Sequence, residues 1–244
     1  MLAIYKREMR AYFTTWTGYI FLSVALVVSA LVFSLATLLN GNGTSDTSGY
    51  YATMLYGMII FLPILTMKSF SEEKKLKTEQ LLLTAPISPT AMVLGKFLSA
   101  FTMLVIYLVV SLINYIPLFD HAVINLTNGT GPNVALMLGN TLAMLLVGAC
   151  FIAIGIFVSS ITENQFASVV LTIVVLLGFV LLSSFTSLIE NEAVRAVLGY
   201  FSLYSRYTAF THGIFDISAL FYYISVAGIF VFLTTRVFVA RRFN

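Results

Sequence analysis

Charged side chains are what this chain has least of. Asp, Glu, Lys and Arg make up 9% of it, 59% of its residues are apolar, and its mean hydropathy is +0.98. A soluble domain carries roughly 25% charged residues, so the composition excludes that class and points to an integral membrane protein. Cysteine is reduced to Cys150, which rules out an internal disulfide framework and a cysteine-built metal centre. Set in an apolar run, it reads as a small packing residue. The only histidines, His121 and His212, are too few and too far apart for a metal site, which takes about three or four ligands.

Two catalytic signatures are missing as well. A phosphate-cradling loop needs Gly-x-x-x-x-Gly-Lys-Ser/Thr, yet the one Gly-Lys pair, Gly95-Lys96, is followed by Phe97 and has no glycine five positions earlier. The Gly-x-Ser-x-Gly elbow of serine hydrolases is absent. No catalytic residue, metal site or bound cofactor is therefore expected on this chain, and no nucleic-acid partner.

What the chain has in abundance is long apolar sequence. Six runs, at about 17–39, 50–70, 90–116, 134–158, 166–185 and 217–239, each approach the roughly 20 residues that cross a bilayer. The first run exceeds the apolar core of a signal peptide, about 7–15 residues, and is expected to remain as a span. Ahead of it, Leu2, Tyr5, Met9, Tyr12 and Phe13 fall on one helical face and Lys6, Arg7, Glu8 and Arg10 mostly on the other, which predicts a helix lying in the interface. The expected fold is an all-α, single-domain membrane protein of six spans, with both termini on one side. That side carries Lys6, Arg7, Arg10, Lys68, Lys74, Lys75, Lys77, Lys96, Arg236, Arg241 and Arg242, against only Arg195 and Arg206 on the other. The positive-inside rule makes it the cytoplasmic side, giving N-in, C-in topology.

Charge is concentrated between the second and third spans. Lys68, Glu72, Glu73, Lys74, Lys75, Lys77, Glu79 and Lys96 all fall within 62–100, and such a segment must leave the hydrocarbon, where one central Lys or Asp costs roughly 2.5–3.5 kcal/mol. Glu73 with Lys77, and Lys75 with Glu79, stand four apart and predict a charge-paired helix. Pro86 stops it. Ser88 as N-cap and Pro89 at the first helical position start the next helix.

Polar residues inside the spans are few. Tyr107, Ser111 and Asn114 share a face of the third span, where they either line a polar pathway or hydrogen-bond a neighbouring helix. Gly148, Gly155, Ala149 and Ala153 predict close helix packing on the fourth span. Between 186 and 216 the apolar pieces are too short to cross, which suits re-entrant or interfacial helices.

These residues also carry a family resemblance that covers nearly the whole chain. FSEEKKLKTEQLLLTAP at 70–86 followed by LGKF at 94–97 resembles the cytoplasmic signature of ABC type-2 exporter permeases. Gliding-motility-type permeases are the nearer group, with the nitrous-oxide-reductase maturation permease more distant. SSITENQ at 159–165 resembles the family's short loop between spans four and five. The tail from Tyr200 through Phe210, Gly213, Asp216 and 221–223 to Arg241 and Arg242 resembles its ending. Two positions depart from it: Lys77 stands where relatives carry Gly, and Arg206-Tyr207 where they carry His-Phe.

The resemblance implies a bacterial plasma-membrane permease subunit that exports substrate using ATP, with Mg, bound and hydrolysed on a separate cytoplasmic ATPase present in two copies. A second permease copy, identical or related, completes the pathway within the lipid bilayer. The resemblance makes the helix between spans two and three a coupling helix and assigns Glu72, Glu73, Thr78, Glu79 and Leu82 to the ATPase contact. Thr162, Glu163 and Asn164 form a smaller second contact, stiffened by a Ser160–Glu163 capping-box spacing. Short re-entrant helices precede the sixth span, which places Arg206 and Tyr207 at the outer mouth of a pathway with Tyr107, Ser111 and Asn114. Two other classes stay open, an ATPase-driven assembly or motility machine and a stand-alone channel or carrier.

Overall fold

The computed structural model describes residues 1–38, 48–78, 87–117, 134–186, 191, 199, 202–211 and 216–243. Among them the chain is entirely helical: α1 (Leu2–Thr14), α2 (Trp16–Phe33), α3 (Ser48–Thr66), α4 (Ser71–Lys75), α5 (Pro89–Ser111), α6 (Val134–Ile161), α7 (Gln165–Thr186), α8 (Leu203–Thr211) and α9 (Ile217–Phe243). A π turn, Ser34–Leu38, extends α2, and a 3-10 turn, Leu112–Tyr115, extends α5. Six of these segments are long and apolar enough to cross a membrane: Trp16–Thr37, Gly49–Lys75, Pro89–Tyr115, Val134–Ile161, Gln165–Leu182 and Ile217–Arg241. The expected spans coincide with them to within a few residues.

The bundle is built around α6, which packs against α3, α4, α5, α7, α8 and α9. Its glycines make this possible. A Cβ on Gly148 would stand 2.4 Å from Leu104 Cδ2 of α5, and one on Gly155 would stand 2.3 Å from Thr66 Oγ1 of α3. With lipid as apolar as leucine, helices gain by approaching closely, and only a residue without a side chain allows these separations. Ala153 is fully buried beside them. The close packing expected of this span is present.

Local signals account for the helix ends. Ser88 caps α5 by accepting from Ala91 N at 3.3 Å, with Pro89 at the first position. The turn between α6 and α7 departs from expectation. Ser160 Oγ donates back to Phe157 O at 2.6 Å, so no capping box with Glu163 forms; Asn164 Oδ1 instead accepts from Phe166 N at 2.9 Å and caps α7.

Helix α1 docks on the bundle. Ile4 is buried and Tyr5, Met9 and Tyr12 are half-buried against it, while Leu2 and Phe13 of the expected interfacial face are exposed. Tyr5 OH and Thr102 Oγ1 of α5 are hydrogen-bonded at 3.1 Å. Of the stretch 186–216, α8 is the described helix, packed against α6 and α7; the remaining expected re-entrant segments lie outside the described residues.

Candidate functional site: the α4 knuckle

Helix α4 is five residues long, shorter than the charge pattern predicts. Its carboxylates, Glu72 and Glu73, lie in the first turn and Lys74 and Lys75 in the last, the order that complements the helix dipole. Lys77 then turns the backbone into the left-handed region with φ 56°. Thr78 N donates to Glu73 O at 2.9 Å and Lys77 N to Lys74 O at 3.0 Å, the double bond of a Schellman stop. The expected Glu73–Lys77 pair is therefore not formed, because Lys77 has left the helix. Glu79 and Leu82 lie outside the described residues.

Glu73 is engaged elsewhere. Its Oε1 accepts from Lys96 Nζ at 2.9 Å and from Arg7 Nη2 at 2.8 Å, and Glu8 Oε1 accepts from the same two cations at 3.1 and 2.7 Å. Lys96 Nζ also donates to Ser69 O and sits 4.8 Å from the centre of the Phe70 ring. Two positive and two negative groups thus form a neutral clasp joining α1, α4 and α5. The Lys96 side chain is 2% exposed, Glu73 16% and Arg7 49%. Burial pulls the Arg7 guanidinium down, but Glu8 and then Glu73 outweigh it and hold its pKa above the ordinary value. Tyr12, on the inner face of α1, is pushed up by burial and by Glu8, and stays a neutral phenol.

The other flank of α4 is held by α6. The N-cap residue, Phe70, has no side-chain acceptor to offer; Ser159 Oγ takes that place, accepting from Phe70 N and Ser71 N at 3.1 Å each and donating to Met67 O at 3.2 Å. Lys74 Nζ returns to Ile161 O at 3.0 Å, and Arg241 of α9 reaches Ser160 O at 3.0 Å. Cations thereby meet the free carbonyls at the C-terminus of α6. Phe70 also packs against Phe238 of α9, with ring centres 4.5 Å apart and planes tilted by 41°.

Of the residues assigned to an ATPase contact, Glu72, Thr78 and Thr162 are half-buried and Glu163 and Asn164 exposed. The hold of Ser159 and Lys74 on the end of α6 brings α4 beside the 162–164 turn. The family model described as ABC-2 family transporter protein matches residues 26–240 of the chain. The chain belongs to the ABC-2 transporter family. No curated protein matches it significantly. It is a multi-pass ABC-2 permease, the membrane component of such a transporter rather than its catalytic part. Permeases of this family generally pair with an ATPase subunit and often dimerise. The match begins after α1, so the clasp ties a segment outside the matched region to two elements within it.

In this permease two of the three polar residues of the third span, Tyr107 and Asn114, bond to neighbouring helices. Asn114 Nδ2 donates to Ser29 Oγ at 3.0 Å, Ser29 Oγ and Tyr50 OH are 2.8 Å apart, and Tyr107 OH reaches Met54 Sδ at 3.3 Å. Ser111 Oγ bonds its own helix at Leu108 O. Tyr107 and Ser111 lie on α5 and Asn114 on the 3-10 turn beyond it. Tyr207 is buried, with its hydroxyl donating to Tyr51 O at 3.1 Å; Arg206 bonds Ser218 Oγ at 3.1 Å and covers the Tyr222 ring at 4.5 Å. Among the described residues no group of His, Cys, Asp and Glu is placed to hold a metal ion.

Four residues central to the site were named in the sequence without being assigned to it: Arg7, Glu8, Lys96 and Ser159. Lys96 carried a signal, since a lone cation eight positions into an apolar helix calls for a partner. Ser159 carried none, because its partners are backbone groups on another helix.

Proposed function

We propose that this permease exports substrate across a bacterial plasma membrane, driven by ATP that two cytoplasmic copies of a separate ATPase bind, with Mg, and hydrolyse. Helix α4, the 79–83 segment that follows it and the 162–164 turn form the coupling surface, on the cytoplasmic side with both termini. A second copy of this chain, or a related permease, completes the pathway, and the re-entrant stretch before the sixth span closes its outer mouth at Arg206 and Tyr207. The cytoplasmic signature at 70–86 supports a permease of gliding-motility type, which it resembles.

One observation carries this reading. A short helix carrying two carboxylates and two ammonium groups stands beside an exposed turn with one carboxylate, at the end of the bundle where the basic residues gather, and both are anchored to the spans behind them. An anchored protrusion transmits displacement into the helices that hold it, whereas a tethered loop absorbs it. Glu72→Ala combined with Glu163→Ala removes one half-buried and one exposed carboxylate without touching the clasp. The double variant is expected to insert normally yet lose the bound ATPase, or its stimulation, in a pull-down from native membranes. Unchanged ATPase binding and stimulation would remove α4 and the turn from the contact. Transport into vesicles then separates an exporter from a machine that only transmits force.

A further inference from the structure

We propose that Ser159 is a positioning residue that joins α4 and the 162–164 turn into one body, so that both assigned ATPase contacts move together. The proposal rests on the exporter reading above and adds to it how force is shared between the two contacts.

Helix α4 has little stability of its own. Isolated helices shorter than about 12–15 residues are marginal in water, α4 has five, and no side chain on its own segment caps its N-terminus. Its order must come from outside. The Ser159 hydroxyl commits its single donor and both acceptor positions to the segment 67–71. Its neighbours behave differently: Ser160 Oγ returns to Phe157 O and Thr162 Oγ1 to Val158 O, the usual back-bonding of hydroxyls in a helix. Ser159 alone of the three is turned across the helix boundary, and it is fully buried there.

A second tie lies one turn along. Lys74 Nζ bonds Ile161 O, so α4 is fixed to the end of α6 near both of its own ends. Two ties on one flank stop α4 sliding but leave rotation about the line through them, which the Glu73–Lys96 pair on the opposite flank removes; Arg241 on Ser160 O secures the same corner to α9. Displacement applied at Glu72 is therefore handed to the end of α6 at Ile161, onto which the Thr162 hydroxyl and amide, both bonded to Val158 O, hold the start of the 162–164 turn.

The test uses spin labels on Lys75→Cys and Ile161→Cys, both exposed and outside the assigned contact. The native Cys150 is buried and stays in place. Pulsed dipolar spectroscopy on the intact complex, with labelled chain diluted in unlabelled chain so that only pairs within one chain are read, is expected to give one narrow distance peak, identical without nucleotide and with nucleotide trapped. Ser159→Ala should cost that single peak, broadening it in the isolated chain and making it nucleotide-dependent in the complex. Lys74→Met, which cuts the second tie at the surface, serves with the same expectations where Ser159→Ala fails to insert. A peak that shifts with nucleotide while Ser159 is present, or one that stays narrow in the variant, overturns the proposal. Absence of any copurifying ATPase defeats the exporter reading instead, and the isolated-chain measurement still decides the role of Ser159.

Discussion

Lys77 occupies a glycine's conformation. Its φ of 56° places Cβ near the following carbonyl oxygen, which costs an L-residue roughly 1–2 kcal/mol. The departure from family pattern at this position, expected to be a neutral change on a solvated helix, is a backbone strain at the stop of α4. Lys77→Gly should stabilise the chain by about 1 kcal/mol, seen as a raised midpoint in detergent unfolding, whereas Lys77→Ala should give no such gain. Lys96 presents the opposite case, a side chain whose loss is expensive. Lys96→Met leaves Glu8 and Glu73 facing Arg7 alone and should cost about 3–5 kcal/mol. Adding Glu73→Gln restores one anion to one cation and should recover part of that loss, which a double-mutant cycle measures. Equal costs of Lys96→Met with and without Glu73 would show that the two charges do not interact.

At the scale of elements, the spans and the start of α5 were legible because each follows from local sequence. Apolar length marks a span, and Ser88-Pro89 opens α5 whatever surrounds it. Contacts between elements were legible only where small residues announce them. Gly155 is such a place: Gly155→Ala drives a methyl into Thr66 Oγ1 and should destabilise by about 1–3 kcal/mol. Thr66→Ala in the same chain should relieve most of it, with the pair compared by unfolding midpoint. The length and anchoring of α4 were not legible. The spacing of Glu73, Lys77 and Glu79 is as good for a longer paired helix as for a short one, and what decides between them is Lys96 and Ser159, 23 and 88 residues from their partners Glu73 and Ser71. The cap of α7 misled for the same reason, since Ser160 and Asn164 are both credible caps and only the packed geometry selects Asn164.

For the whole molecule, the arrangement of charges and aromatics fixes how it should sit in a bilayer. Trp16, the only tryptophan, stands 82% exposed at the corner between α1 and α2, on the same end as the clasp. Tryptophan favours the headgroup boundary, so lipids brominated near the headgroup should quench its fluorescence more than lipids brominated near the chain terminus. The reverse order would place this corner at the wrong depth. The outward faces of α2, α7 and α9 carry large apolar side chains such as Val27, Val174 and Phe232, which suit lipid and leave the oligomeric state to be read directly, with two copies expected by native mass spectrometry. The clasp also bears on how the chain is made. Glu8 leaves the ribosome 88 residues before Lys96, so during synthesis it has only its neighbour Arg7 for company until the third span is delivered. Sealing of the N-terminal segment thus waits for the third of the six spans, and a nascent chain arrested short of that span should leave its first helix open to proteases that the finished protein resists.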